Sequence, residues 1–269
     1  MRAPPRGCPG PALEKRSAQP IRPIVDFPTL GYTGLSPLSP KVPDPPLPET
    51  PPSAAALPAR RLTVTGLACR RGERMLFEGL DFAVEPGEAL ILTGPNGAGK
   101  TSLLRILAGL LRPTAGQVAL LPEDEELTIA QQSRFVSVRD ALKASFTVRE
   151  TLGFQAEIAG IGRGATMVEA FEAFRLHRLA DMPCGYLSSG QRKRVALASL
   201  VHAARARPLW LLDEPTNALD RDACGQLARV VGNHLARGGL IVAASHLDLG
   251  WPNSRELRIG DTLPAGAAA

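Results

Sequence analysis

The chain has 269 residues, a formal net charge of +5 and a sequence pI near 9.3. This length suits one large globular domain. Aromatic residues make up only 4% of the chain, which leaves little material for a base-stacking platform, so the modest positive charge does not indicate a nucleic-acid partner. The four cysteines form no Cys-x-x-Cys pair, which predicts reduced thiols. No apolar run reaches the roughly 18 residues of a membrane-spanning helix, so the chain is not expected to cross a bilayer by itself.

The N-terminal segment differs in composition from the rest of the chain. Proline is crowded there, for example in residues 43–48, and segments of this kind bury too little apolar surface to fold. We therefore predict a disordered proline-rich tail over residues 1–58, a globular domain over residues 59–262 and a short disordered tail over residues 263–269.

A glycine-rich loop follows the apolar run at residues 89–93 and precedes a predicted helix. The loop and the first helical residues are Gly94, Pro95, Asn96, Gly97, Ala98, Gly99, Lys100, Thr101 and Ser102. Glycines let successive backbone N–H groups converge on one anion, and the helix N-terminus adds its positive dipole. The pattern predicts a phosphate-binding loop, with Lys100 reaching the β- and γ-phosphates of a bound ligand and Thr101 coordinating Mg²⁺. The alternative is a glycine-rich turn that fits the pattern by chance.

A second apolar run, at residues 208–212, ends in two acidic residues, Asp213 and Glu214. If this run lies beside the first strand in a parallel sheet, both carboxylates stand at the edge that carries the phosphate loop. Asp213 is then predicted to hold Mg²⁺ through water, and Glu214 to act as general base for the attacking water. The alternative is a solvated acidic pair at a strand end.

A third motif decides the family. It opens a predicted helix before the second apolar run, and its residues are Ser188, Ser189, Gly190 and Gln191. This segment resembles the signature loop of ABC ATPases, residues 217–220 resemble that family's D-loop, and His246 resembles its switch histidine. The resemblance implies that the signature loop faces the phosphate loop of an opposite subunit, that Asp220 belongs to the nucleotide site and that His246 contacts the γ-phosphate. Because the chain is too short for two full ATPase domains, two nucleotide sites require a homodimer.

The predicted fold class is α/β: an ABC-type P-loop NTPase with a mixed sheet core, an antiparallel β entry and a helical signature subdomain at about residues 140–190. The runs at residues 62–65 and 76–84 predict the entry strands. The helix after the phosphate loop is predicted to continue through Leu110 and Leu111 until Pro113 ends it.

The helical subdomain carries two predicted capping boxes, one pairing Thr147 with Glu150 and the other pairing Thr166 with Glu169. Among its aromatic residues, Phe171 and Phe174 share a helical face and are predicted to be core. Phe146 stands just outside a helix start. It is therefore the better candidate for contact with a membrane partner.

Two positions depart from the ABC pattern. The aromatic residue that stacks on the nucleotide is expected near Arg71, where the sequence has none, so an arginine plane is the available substitute. Arg139 aligns with a glutamine that in this family reaches Mg²⁺ and the attacking water. Arginine has no acceptor for a metal ion, so this role is expected to pass to Asp140 or to water.

Segments at residues 69–77, 139–148 and 210–215 resemble the CcmA-type ATPases of cytochrome c maturation, and the similarity extends over about residues 61–260. The resemblance implies an ATP-hydrolysing subunit that drives haem delivery or release of a haem chaperone. It also implies CcmB- and CcmC-type membrane partners, with peripheral attachment to the cytoplasmic face of a bacterial inner membrane or the matrix face of a mitochondrion. The alternatives are the ATPase of another ABC importer or exporter, and an ATP-binding scaffold with little turnover.

Three further histidines are scattered along predicted helices. His177, His202 and His234 are interpreted as surface residues rather than haem ligands. Contact with haem is therefore expected to belong to the partner subunits.

Overall fold

A computed structural model describes residues 56–138, 141–160 and 164–260. The expectations for Arg139 and Asp140, and the predicted disorder at residues 1–55 and 263–269, lie outside these residues. Leu57 falls inside the predicted tail but is buried, and its backbone N–H donates to the carbonyl of Arg237 at 2.9 Å. The chain therefore packs against the domain from at least this residue.

The described chain contains two sheets and six α-helices. The strands are β1 (Arg61–Arg71), β2 (Arg74–Val84), β3 (Ala89–Thr93), β4 (Ala115–Leu121), β5 (Ser133–Val136), β6 (Leu209–Asp213), β7 (Leu240–Ala244) and β8 (Ser254–Arg258). The helices are α1 (Lys100–Leu107), α2 (Ile129–Gln132), α3 (Val148–Ile158), α4 (Ala165–Ala173), α5 (Ser189–Ala203) and α6 (Arg221–Ala236). Two short 3₁₀ helices lie at His177–Leu179 and Cys184–Tyr186.

The α/β fold class is confirmed, with the antiparallel and parallel strands separated into two sheets. An antiparallel sheet has the order β2-β1-β4, and a parallel sheet has the order β5-β6-β7-β3-β8. The inner strands of the parallel sheet are apolar along their length because both faces are covered. In β3, Leu90 and Leu92 pack towards α1 and the antiparallel sheet, whereas Ala89 and Ile91 pack towards the helical side.

The end of α1 differs from the prediction. The helix ends at Leu107 and not near Pro113, because Gly109 adopts a left-handed conformation (φ 70°). The N–H of Gly109 donates to the carbonyl of Ile106, and that of Leu110 donates to the carbonyl of Arg105, which closes the last turn. Leu110 consequently leaves the helix and is 67% exposed.

One of the two predicted capping boxes is confirmed and the other is wrong. The Thr147 hydroxyl accepts from the backbone N–H of Glu150 at 3.1 Å, and the Glu150 carboxylate accepts from the N–H of Thr147 at 2.8 Å. Thr166, in contrast, lies inside the first turn of α4, whose N-cap is Gly164. Glu169 does not fold back on the helix start because its carboxylate pairs with Arg205 at 2.7 Å.

The helices α3, α4 and α5 pack on one another and on the parallel sheet. Phe171 and Phe174 are buried in this packing, as predicted.

The interpretation of His202 and His234 as surface residues is wrong, because both are 1% exposed. His234 lies flat against Trp210, with ring centroids 3.7 Å apart, and its Nε2 is 3.1 Å from the carbonyl oxygen of Pro208.

Within the described ranges, every helix is too short or too polar to traverse a lipid bilayer. Cys69, Cys184 and Cys224 are free thiols, in agreement with the predicted reduced state of these three residues. Burial raises the pKa of Cys69 and of Cys224.

Candidate nucleotide site

A cleft of about 770 Å³ opens at the carboxyl ends of β3, β6 and β7. Its lining consists of Arg74, Leu76, Asn96, Gly97, Gly99, Lys100, Thr101, Ser102, Val138, Asp213, Glu214, Thr216, Asn217, His246 and Leu247. Most residues predicted from the phosphate loop and the acidic strand end therefore meet in one place, together with His246. Gly94, Pro95 and Ala98 do not line the cleft but shape its loop, in which the N–H of Ala98 donates to the carbonyl of Pro95 at 3.2 Å.

Two glycines of the loop occupy positions that no other residue fits. Gly94 has a φ of 126°, and a Cβ atom there would lie 2.1 Å from the carbonyl oxygen of Ile259. Gly99 has a φ of 107°, and its Cβ would meet the ring of Phe77 at 3.0 Å. The loop can therefore follow this tight path only with glycine at both positions.

Lys100 is 7% exposed at the start of α1, and its ammonium group spans the mouth of the loop. Nζ donates to the carbonyl oxygens of Gly94 at 2.7 Å and Pro95 at 3.2 Å. The same atom lies 3.4 Å from Nε2 of His246. A buried ammonium held beside a helix N-terminus presents its charge to any anion in the cleft.

His246 connects Lys100 with Glu214. Its Nε2 is 3.4 Å from Oε1 of Glu214, so the imidazole stands between the two side chains. The turn that carries the ring is held by Ser245, whose buried hydroxyl donates to the carbonyl of Leu247 at 2.8 Å and accepts from its N–H at 3.0 Å.

Glu214 itself has an unusual backbone. Its φ is 46°, in the left-handed region that residues other than glycine seldom adopt, and its N–H donates to the carbonyl of Ala244 at 3.0 Å. Backbone strain of this kind persists only where the surrounding structure imposes it. The carboxylate is thereby directed off the end of β6 into the cleft.

Thr101 and Asp213 form the oxygen pair predicted to hold Mg²⁺. The Thr101 hydroxyl is 3.0 and 3.2 Å from the two carboxylate oxygens of Asp213, which is 2% exposed. Burial raises the pKa of Asp213, and this effect is opposed by the hydroxyl and by the charges of Lys193, Arg105 and Lys100. A hydroxyl beside a carboxylate provides the hard oxygen donors that Mg²⁺ prefers, so these residues fit the ion.

The signature loop does not line this cleft in the single chain. Ser188 caps α5, with its hydroxyl accepting from the N–H of Gln191 at 3.3 Å, while Ser188 and Ser189 remain exposed. Gly190 touches the D-loop, because a Cβ on it would lie 2.8 Å from the carbonyl oxygen of Ala218. Asp220 caps α6 by accepting from the N–H of Ala223 at 2.7 Å. The predicted nucleotide contacts of this loop and of Asp220 therefore require a second chain.

Several lining residues were not predicted. Thr216 directly follows the acidic strand end, so its proximity had a signal in the sequence. Arg74 and Leu76 had none, because they belong to β2 and reach the loop only through the packing of the antiparallel sheet. Arg71, the position expected to face the nucleotide, is exposed and does not line the cleft.

Comparison with known proteins settles the family. The sequence model of the ABC transporter family matches residues 77–217, which is more than half of the chain. The chain belongs to the ABC transporter family. It is thus an ABC-type ATPase subunit, as the signature loop predicted.

Curated relatives extend the match over the whole domain. The chain is 49% identical over 200 residues to the cytochrome c biogenesis ATP-binding export protein CcmA of Nitrobacter winogradskyi, covering 74% of this chain and 98% of the relative. It is 45% identical over 203 residues to the protein of the same name from Rhizobium meliloti, covering 74% and 97%. The predicted resemblance to the CcmA-type branch of the family is confirmed.

Two solved structures show the same fold. One is the ATP-binding subunit of an ABC transporter, with a TM-score of 0.65 at 24% identity, covering 74% of this chain and 87% of the other. The second is a putative ABC transporter ATP-binding protein from Pyrococcus furiosus, with a TM-score of 0.63 at 22% identity, covering 74% and 97%.

Proposed function

We propose that this chain is the ATP-hydrolysing subunit of an ABC export complex for cytochrome c biogenesis. The observation that carries the proposal is the meeting of Lys100, Glu214 and His246 in one cleft, in a chain that is closely similar to CcmA proteins over a whole domain. The three side chains indicate the chemistry of the site, and the similarity to CcmA proteins indicates the process that the site serves.

ATP binds with its phosphates in the loop. Backbone N–H groups of the loop and of the α1 N-terminus hold the phosphate oxygens, and Lys100 exchanges its contacts with Gly94 and Pro95 for the β- and γ-phosphates. Thr101 and Asp213 would hold Mg²⁺. The ion would neutralise charge on the phosphates.

Hydrolysis is an in-line attack of water on the γ-phosphorus. Glu214 accepts a proton from that water as the new P–O bond forms, and the bond to the bridging oxygen of ADP breaks. His246 reaches the γ-phosphate from the position between Lys100 and Glu214. The left-handed backbone of Glu214 supports this assignment because it aims the carboxylate into the cleft.

The complete site needs two chains. Ser189 and Gly190 lie at the N-terminus of α5, where Ser189 is exposed and does not line the cleft of its own chain. In a head-to-tail homodimer, the hydroxyl of Ser189 and the N–H of Gly190 bind the γ-phosphate held by the opposite phosphate loop. Closure of this dimer on ATP and its reopening after hydrolysis provide the mechanical step.

A groove beside the helical lobe is suited to a membrane partner. It has a volume of about 610 Å³, and its apolar lining includes Phe135, Phe146, Phe154 and Ile158. Phe154 and Ile158 are 52% and 60% exposed, and the ring of Phe146 meets that of Phe154 edge-on at 6.4 Å. Exposed aromatic surface of this kind is typical of protein interfaces. We assign it to CcmB- or CcmC-type membrane subunits, which attach the ATPase to the cytoplasmic face of a bacterial inner membrane.

Reconstitution of the complex tests this function. The ATPase rate of the purified chain is measured with and without detergent-solubilised CcmB- and CcmC-type subunits, and again with the Phe154→Asp variant. We expect the subunits to change the rate for the wild type and to have little effect on the variant, whose isolated rate matches the wild type. An ATPase rate that does not change when the subunits are added favours another ABC system. Absence of turnover under all conditions favours an ATP-binding scaffold.

A further inference from the structure

A small cavity lies between the edge strand β5 and the helices α3 and α5, apart from the nucleotide cleft. Its volume is about 10 Å³, and its polar lining consists of Arg134, Gln155, Ser199, His202 and Arg207. None of these five residues lines the nucleotide cleft. Two of them carry a positive charge, and the lining that the structure describes includes no acidic residue. The cavity therefore concentrates positive charge.

The guanidinium of Arg134 is largely buried without a counter-ion. Its Nε donates to the hydroxyl of Ser199 at 3.1 Å, while its two Nη groups make no hydrogen bond or ion pair with the described residues. Burial, with a smaller effect from the nearby charge of Arg207, lowers the pKa of Arg134 to about 10, so the group stays charged at neutral pH. A buried charge is costly unless an opposite charge or a set of hydrogen bonds compensates it.

Arg207 brings a second positive charge to the same place. Its Nη1 donates to the carbonyl oxygen of Gln131 at 2.6 Å and to that of Ser133 at 3.1 Å. These carbonyl groups fix the position of the guanidinium. They are neutral, however, so they leave its charge uncompensated.

Two further polar side chains at the cavity are buried without partners. His202 is 1% exposed, and neither Nδ1 nor Nε2 forms a hydrogen bond with the described residues. Burial lowers the pKa of His202 to about 4, so its ring is neutral and keeps one N–H donor. Oε1 of Gln155 is buried in the same way, and a half-turn of this amide places its NH₂ group there instead. Because buried polar groups are nearly always hydrogen-bonded, this set indicates a bound water or ion.

We infer that the cavity binds a single monovalent anion of the size of chloride. A water molecule satisfies individual N–H groups but leaves both guanidinium charges without a counter-ion. An anion can accept hydrogen bonds from Arg134, His202 and Gln155, and it neutralises one of the two charges. The cavity has room for about one water-sized particle, which excludes polyatomic anions such as sulfate. This inference is independent of the proposed nucleotide role.

The position of the cavity indicates how the ion enters and what it does. Arg134, Gln155 and Ile158 also line the apolar groove beside the helical lobe, so an ion can reach the cavity from that side. Residues of β5, α3 and α5 all contribute to the lining, so a bound ion stabilises the packing of the helices on the edge of the sheet. The expected effect is therefore on the stability of the domain.

Thermal unfolding of the full chain in sodium chloride and in sodium gluconate at equal ionic strength tests the inference. Equal ionic strength screens surface charges equally, whereas the bulky gluconate ion cannot enter the cavity. We expect chloride to raise the unfolding midpoint of the wild type by about 2–4 °C relative to gluconate. Arg134→Gln is expected to reduce this difference to less than about 1 °C, because it removes the main donor.

Arg205→Gln is the matched control. Arg205 also follows α5, but it pairs with Glu169 at 2.7 Å and does not line the cavity. This variant should keep the full difference between chloride and gluconate. Equal responses of Arg134→Gln and Arg205→Gln would overturn the inference.

Crystals of the wild type grown in sodium bromide give a second test that does not depend on the folding of a variant. Bromide has the charge of chloride and nearly its size, and anomalous scattering locates it. We expect a bromide ion within hydrogen-bonding distance of Arg134 and His202. A cavity without bromide refutes the inference. A bromide ion in the crystal together with equal midpoints in chloride and gluconate would show an adventitious ion only, and it would refute the inference as well.

Discussion

The two buried histidines make the folded domain sensitive to moderate acid. His234 has its pKa lowered to about 4 from 6.5, chiefly by burial, and His202 has its pKa lowered to about 4 by burial and by the nearby charge of Arg134. In the unfolded chain both return to the ordinary value. Below about pH 6.5 the unfolded state therefore binds more protons than the folded state. The free energy of unfolding falls as the pH is lowered, until the pH reaches about 4.

The size of this effect follows from the two pKa values. For one histidine with a folded pKa of about 4 and an unfolded pKa of 6.5, linkage predicts a loss of about 2 kcal/mol between roughly pH 7.5 and pH 5. His234 is the better residue to change because its ring lies flat on Trp210, so His234→Phe keeps an aromatic stack. The variant loses the hydrogen bond to Pro208, which lowers stability by about 1 kcal/mol at every pH.

Urea unfolding of the wild type and His234→Phe at the two pH values provides the assay. We expect the difference in unfolding free energy between pH 7.5 and pH 5 to be about 2 kcal/mol smaller in the variant. His177→Gln is the control, since His177 is exposed, and it should leave the pH dependence unchanged. If His234→Phe shows the same pH dependence as the wild type, the buried neutral state of His234 is refuted.

Three further substitutions test the site, and Gly72→Ala is the control for the third. Glu214→Gln keeps the shape of the side chain but removes the base, so turnover should fall by about 10²–10⁴-fold while ATP binding and a closed dimer persist; normal turnover would contradict the assigned base. Lys100→Ala removes the cation that bridges the loop, and calorimetry should detect no ATP binding at concentrations that saturate the wild type. Gly94→Ala places a Cβ 2.1 Å from the carbonyl of Ile259, so thermal unfolding should show a loss of roughly 3 kcal/mol or more. Gly72→Ala, with positive φ but open space, should lose only about 1 kcal/mol.

Features set by neighbouring residues could be predicted from the sequence. The phosphate loop and the capping box at Thr147 depend on short patterns, and each lies where its pattern indicated. The acidic end of β6 also reaches the cleft, but β6 is not the neighbour of β3 that its pattern suggested, because β7 lies between them. The errors arose where a distant residue intervened. Glu169 forms an ion pair with Arg205 and does not form its predicted cap. His234 is buried because its ring stacks on Trp210, which belongs to another element.

The wall of the cleft that β2 provides shows the same limit. No local pattern connects β2 with the phosphate loop, and only the packing of the antiparallel sheet brings Arg74 beside Gly97. The resemblance to the ABC family instead predicted a nucleotide contact near Arg71, which is the cross-strand neighbour of Arg74. The partner-facing roles of Ser189 and Asp220 remain predictions, because a single chain cannot bring them to the cleft that they are expected to complete.

Maturation of c-type cytochromes in cells of the source organism lacking this gene tests the central claim most directly. Covalent haem on these cytochromes is measured after the gene is restored as wild type or as Glu214→Gln, with both chains present at equal levels. We predict that deletion abolishes haem attachment, that the wild type restores it and that Glu214→Gln does not. Normal cytochromes in the deletion strain, or full restoration by Glu214→Gln, would contradict the account.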